Sequence, residues 1–192
     1  MKVLFDTNVV LDVLLAREPH AVVAARLFAL VDKGELEGVL CATTVTTIHY
    51  IASKAVGPDS AKRHLRELLA MFDVAGVDHD VLDGALGLDF QDFEDAVLHE
   101  AARAAGATAI VTRNGKDFGN AVIPVFDPHE LLAAVVASSE CRRWGGIPNN
   151  GIQTDSAFCT AADAARWTLL RGEQRATMAI RSSPIVFGTL IG

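Results

Sequence analysis

No run of apolar residues in this 192-residue chain approaches the roughly 18–20 needed to cross a bilayer, which excludes a membrane-spanning helix. The N-terminus lacks a basic region followed by an apolar stretch and a small-residue cleavage site, so nothing in it signals secretion. Cysteine is scarce. Cys41, Cys141 and Cys159 are an odd number with no CxxC and no Cys/His spacing. That argues against both a disulfide framework and a zinc site. The expected location is therefore the reducing cytosol, that is, cytoplasmic. No internal repeat is evident, and the six His are too scattered for any of them to be given a role.

Basic residues are also in short supply where they would matter for nucleic acid. The formal charge is −7, but it is unevenly spread. Residues 136–192 hold six Arg against four acids, which leaves eleven basic and twenty acidic residues in the first 135. Such a body lacks the basic face of a general nucleic-acid binder. It suits a protein that concentrates carboxylates around a cation, although surface solubility accounts for acidity as well.

What is present is a regular alternation of strands and helices. Short apolar runs at Val3–Phe5, Gly38–Ala42, Phe72–Val77, Ala109–Thr112 and Pro124–Phe126 read as strands. Helical patterns lie between them: from Val9, from Pro19 through Val31, from Thr43 or Thr44 to Ala55, Ala61–Met71, Asp78–Leu88, Asp92–Ala105 and Pro128–Val136. In Ala61–Met71, Leu65, Leu68 and Leu69 are expected to face inward. The fold class is α/β, with a parallel sheet covered by helices on both faces as three layers. Residues 1–137 are expected to form one domain. Residues 138–192, rich in Gly, Pro and Asn around 144–152, are expected to be an atypical tail, loosely packed or disordered with one possible helix.

In such sheets, function collects where strands end and helices begin. The first strand ends in Asp6-Thr7-Asn8, and the fourth in Thr112-Arg113-Asn114-Gly115-Lys116-Asp117-Phe118. Asp92-Phe93-Glu94-Asp95 opens a helix on the same edge. Each carboxylate has a plain alternative, since Asp suits turns and helix N-caps. Capping explains Asp92 completely, but three acids in four residues repel one another unless a cation or solvent relieves them. Three acidic points at one edge, without clustered Cys or His, favour Mg²⁺ or Mn²⁺. A carboxylate nest holding such ions suits phosphodiester hydrolysis, because the metal acidifies water and stabilises the leaving oxygen. Arg113 and Lys116, with Arg17, are candidates for steering a phosphate backbone towards it.

These pieces carry a resemblance. Leu4-Phe5-Asp6-Thr7-Asn8 with Leu11-Asp12, Asp92-Phe93-Glu94-Asp95-Ala96-Val97, and Ile110-Val111-Thr112-Arg113-Asn114 with Lys116-Asp117-Phe118 resemble the PIN-domain family, which includes VapC-type ribonuclease toxins. The motifs occur in the family's order over roughly residues 1–136. The resemblance implies a PIN-like nuclease domain with strand order 3-2-1-4-5 and Mg²⁺- or Mn²⁺-dependent endoribonuclease activity. It also implies homodimers and a cognate antitoxin protein. By position, Asp6, Asp95 and Asp117 match the family's metal-binding and catalytic acids, with Asp92 a further candidate ligand. Asn8 and Thr112 match the polar residues that brace them, and Glu94 is a further supporting residue.

One position departs from the pattern. The family usually carries a Glu on the helix after the second strand, where this chain has Thr47. Either Asp92 or Glu94 compensates, or the metal is held more weakly. The leading expectation is a ribonuclease toxin of a toxin–antitoxin pair, acting on RNA. The alternative is a catalytically weak or inactive PIN-like module that binds RNA or protein. A phosphatase or phosphotransferase ranks lower, because a phosphoaspartyl motif would want an Asp where Asn8 stands.

Overall fold

The computed structural model describes residues 1–143, with side chains through Ser138. Five strands, β1 (Lys2–Phe5), β2 (Glu37–Cys41), β3 (Asp73–Ala75), β4 (Ala109–Val111) and β5 (Val125–Phe126), form one sheet in the order β3-β2-β1-β4-β5. Every pairing is parallel. The expected three-layer fold and strand order are therefore observed. The registers Leu4↔Val39, Leu4↔Ile110 and Phe5↔Val111 place the ends of β1, β2 and β4 side by side. The helices are α1 (Thr7–Leu14), α2 (Ala21–Asp32), α3 (Ala42–Val56), α4 (Pro58–Met71), α5 (His79–Leu86), α6 (Phe93–Ala104) and α7 (Pro128–Arg143). A short 3₁₀ turn, Gly115–Phe118, follows β4.

Alternation along the strands divides the core into two faces. Val3 and Phe5 join Leu40 and Val111 beneath α1, α2, α4 and α7, whereas Leu4, Val39, Cys41 and Ile110 lie beneath α5 and α6. The first face centres on Phe5, Phe28 and Phe72, whose rings meet edge-on at centroid separations of 5.0–5.9 Å. Gly38 is what admits Phe72. A Cβ at Gly38 would stand 2.5 Å from the Phe72 ring and 2.9 Å from Val31. On the other face, Ala96, Ala101 and Ala102 bring α6 close to the sheet, which fixes where its N-terminal acids sit.

Several expected boundaries shift. Pro19 lies in the turn before α2, which starts at Ala21 with His20 as its N-cap. The cap of α3 is Cys41 and not Thr43 or Thr44; Thr44 is buried instead, where its hydroxyl accepts from Thr7 Oγ1 at 3.3 Å. On α4 the inward row is Ala61, His64, Leu65 and Leu68, while Leu69 is exposed. Leu69 sits about 100° past Leu68, beyond the edge of that stripe. The last helix, expected to close near Val136, runs on to Arg143. Ser138 continues it by donating its hydroxyl to the carbonyls of Ala134 and Val135. The expectations for residues 144–192 lie outside the described residues. Among the described residues, no helix is long and apolar enough to cross a membrane.

Candidate active site

β1 delivers Asp6 to the C-terminal edge of the sheet, where its amide still bonds Val111 O on β4 at 3.0 Å. Asp6 occupies the N-cap position of α1, yet its side chain makes no cap hydrogen bond. The plain capping reading is therefore incomplete for this residue. Its Oδ2 instead accepts from Thr112 Oγ1 at 2.7 Å and from the Asn8 amide. Asn8 Nδ2 also donates to Thr112 Oγ1 at 3.0 Å, and Asn8 Oδ1 accepts from the Arg113 amide at 3.2 Å. Asn114 N closes the set on Thr112 Oγ1 at 3.0 Å. Position 8 thus needs a donor and an acceptor in one side chain, which Asn supplies and Asp does not.

Burial raises the Asp6 pKa, and the Glu94 carboxylate adds to that. The Thr112 hydroxyl and the amides of Thr7 and Asn8 act against it. Asp6 is 8% exposed and so is largely withdrawn from water.

The second group of acids arrives with α6. Asp92 is the N-cap and accepts from Glu94 N at 2.8 Å, as the capping reading expects. Asp95, at the third position of the helix, is half-buried. Its pKa is pushed up to about 6, first by burial and then by the negative charges of Asp6, Asp92, Asp117 and Glu94. Four carboxylates from three separate chain segments therefore act on one side chain. Asp117 belongs to the 3₁₀ turn after β4, which is anchored by the buried Phe118 ring against Phe90 at 5.9 Å.

The basic candidates divide. Lys116 is exposed on the 3₁₀ turn. Arg113 is engaged inward, with Nε 3.0 Å from Oδ2 of the fully buried Asp12. The separation is that of an ion pair, but neither Arg113 Nε nor either Asp12 oxygen has an aligned hydrogen bond. Burial raises the Asp12 pKa, and Arg113 first, then His20 and Arg17, act against that rise. Arg17 is thus placed beside Asp12, and Thr47 is half-buried on α3. Sequence reasoning held Asp12 only within the matched Leu11-Asp12 pair and Thr44 only as a possible helix start, and gave neither a place beside the site. The signal for Asp12 was available, as a lone carboxylate on the apolar face formed by Val9, Val10 and Val13.

The donor set suits a hard divalent cation, being carboxylate oxygens under mutual repulsion without competing thiols or imidazoles. Among the described residues, no group of three or more His, Cys, Asp or Glu side chains is already arranged to grip an ion. The fit is one of charge and donor type, with the carboxylates standing apart.

Residues 2–116 match the family model described as PIN domain. The chain belongs to the PIN-domain family. No curated protein matches it. Among solved structures, the chain is similar to VapBC2 from Rickettsia felis bound to a promoter DNA fragment (TM-score 0.52, 16% identity, 66% of this chain and 98% of that one). It is also similar to a toxin–antitoxin complex from Klebsiella pneumoniae (0.52, 21%, 66% and 97%). A third likeness is to VapC20 of Mycobacterium tuberculosis, a sarcin–ricin-loop-cleaving toxin (0.51, 17%, 62% and 94%). At these identities, the likenesses establish the shared fold.

Proposed function

We propose that the chain is a Mg²⁺- or Mn²⁺-dependent endoribonuclease, the toxin of a toxin–antitoxin pair. The observation that carries this reading is the charge at Asp95, where Asp6, Asp92, Asp117 and Glu94 all oppose ionisation. Such repulsion is costly for a structural cluster and useful in a site that receives a cation. Asp6, Asp95 and Asp117, with Asp92, would hold the metal. When bound, a divalent ion supplies Lewis acidity and activates water for attack on a phosphodiester.

The chain's own residues do the rest. Thr112 and Asn8 hold Asp6 in place by donating to its Oδ2, and the Thr112 hydroxyl works against the rise that burial imposes on its pKa. Asp92 and Glu94 add negative charge next to Asp95, and Lys116 and Arg113 receive the RNA backbone in this reading. The solved VapBC complexes support an antitoxin protein as partner, and the family resemblance adds a homodimer acting in the cytoplasm to this reading. RNA cleavage with and without Mg²⁺ or Mn²⁺ tests the assignment, with Asp6→Asn as control. The variant is expected to lose about a hundredfold or more, since even supporting residues of metal sites cost 10–100-fold when changed. Unchanged cleavage in Asp6→Asn sinks the reading.

A second reading, a non-catalytic PIN-like binding module, is favoured by Thr47 and by carboxylates that stand apart. Calorimetric titration with Mn²⁺ separates the two, because a dead scaffold should take up the ion negligibly.

A further inference from the structure

Asp12 has no part in the chemistry above, yet it is fully buried and charged groups surround it. A carboxylate taken out of water is costly unless a partner compensates it. The compensating group is Arg113, whose Nε lies 3.0 Å from Asp12 Oδ2, at ion-pair distance but without an aligned hydrogen bond. Its two terminal nitrogens are left over. Of the Arg113 nitrogens, only Nε is buried without a hydrogen bond, neither Nη donates a hydrogen bond to a described residue, and the side chain is 27% exposed. The guanidinium also starts at the centre of the site. Thr112, the residue before it, donates to Asp6, and the Arg113 amide donates to Asn8.

We propose that Asp12 is a positioning residue: it fixes Arg113 at Nε so that both Nη groups take an RNA phosphate at the edge of the carboxylate site. This rests on the nuclease reading for the identity of the phosphate. An untethered guanidinium one residue from Thr112 would find Asp6 and its neighbours the nearest anions and would neutralise them. Held by Asp12, it keeps its outward fork for a second, exchangeable anion. Arg suits that double duty because its five donors are rigidly splayed, and a paired Nη contact matches two phosphate oxygens. Lys offers a single ammonium, which can stay with Asp12 or reach the phosphate.

That difference separates positioning from a purely structural pin between α1 and the turn after β4. The measurement is fluorescence anisotropy of a labelled single-stranded oligoribonucleotide with the full chain in Ca²⁺, alongside melting temperature. Arg113→Lys is expected to melt near the wild type and to bind RNA about tenfold more weakly, as does Arg113→Ala. Asp12→Asn is expected to weaken binding by a similar factor, and adding it to Arg113→Ala should change nothing more. Arg113→Lys binding like the wild type overturns the proposal, as does a wild type that binds no RNA. If Asp12→Asn fails to fold, Arg113→Lys still decides. A wild type that binds RNA through Arg113 but does not cleave it defeats the nuclease reading alone. One that cleaves RNA with Arg113→Lys unimpaired defeats this proposal alone.

Discussion

The two halves of the acidic edge are built on opposite terms. The half formed by β1 and β4 is braced: Asp6, Asn8, Thr112 and the amides of Arg113 and Asn114 satisfy one another through a closed set of hydrogen bonds. The half formed by α6 and the 3₁₀ turn is open. There Asp92 caps a helix, Glu94 is exposed, and Asp95 is burdened by the charges of its neighbours. One half holds a carboxylate in place before any ligand arrives. The other holds carboxylates in tension, which a cation would relieve. A rigid anchor facing a charge-strained partner is a sensible division of labour for binding a hard ion.

If that division is real, equivalent deletions should act with opposite sign. Thr112→Val removes the hydroxyl that donates to Asp6 and receives Asn8 and Asn114, leaving buried polar groups without partners. It is expected to lower cleavage about 10–100-fold and stability by about 1–3 kcal/mol. A Thr112→Val protein as stable and active as the wild type would break the contrast. In the open half, Asp92→Asn keeps a good helix cap and removes a charge. It should bring the Asp95 pKa down from about 6 and raise the melting temperature of the metal-free protein modestly. The sign follows from linkage. A carboxyl whose folded pKa is raised contributes stability at low pH that is lost as pH rises from about 4 through about 6. Relieving the repulsion should therefore flatten the fall of stability over that window. Carboxyl NMR titration of Asp95 checks the pKa, and an unchanged value in Asp92→Asn would count against convergence of these charges.

The braced half was more legible in the sequence than its bracing. Strand ends, the Asp6-Thr7-Asn8 turn and the Thr112–Phe118 turn followed from apolar runs and turn chemistry, and all five strands were placed. What the sequence did not reveal was where side chains turn once the edge assembles. That Thr112, 106 positions away, braces Asp6 was expected only from the family resemblance, and turn chemistry alone offered Asp6 as a cap. Arg113 reads as a free basic residue until Asp12 is seen buried against it. Gly38 enters the sequence reading only as the start of the second strand, whereas the approach of Phe72 requires a glycine there. Each depends on a partner remote in the chain, which periodicity does not report. The inward position given to Leu69 failed for a local reason, since the buried row on α4 passes through His64.

The smallest expected effect concerns what carries the open half. His99 lies four residues beyond Asp95 on α6, fully buried, with its ring 5.4 Å from that of Phe90. Its Nε2 accepts from the Val122 amide at 3.1 Å, so the proton sits on Nδ1, facing Glu100 Oε1 at 3.1 Å. Through that bond α6 holds the segment leading into β5. Burial lowers the His99 pKa; Glu100 acts the other way, and Arg103 adds to the lowering. Protonation would also set an N–H against the Val122 N–H. A histidine with a lowered folded pKa leaves the fold at full strength above its unfolded value near 6.5, and stability is lost as pH falls below it. His99→Gln can still accept from Val122 but does not titrate. Its melting temperature should match the wild type near pH 8 and fall less steeply between about pH 7 and about pH 5. The carboxylates on the open half titrate in both proteins and cancel in the difference. Parallel curves would mean that acid weakens this half through its carboxylates alone, with no contribution from the histidine beneath them.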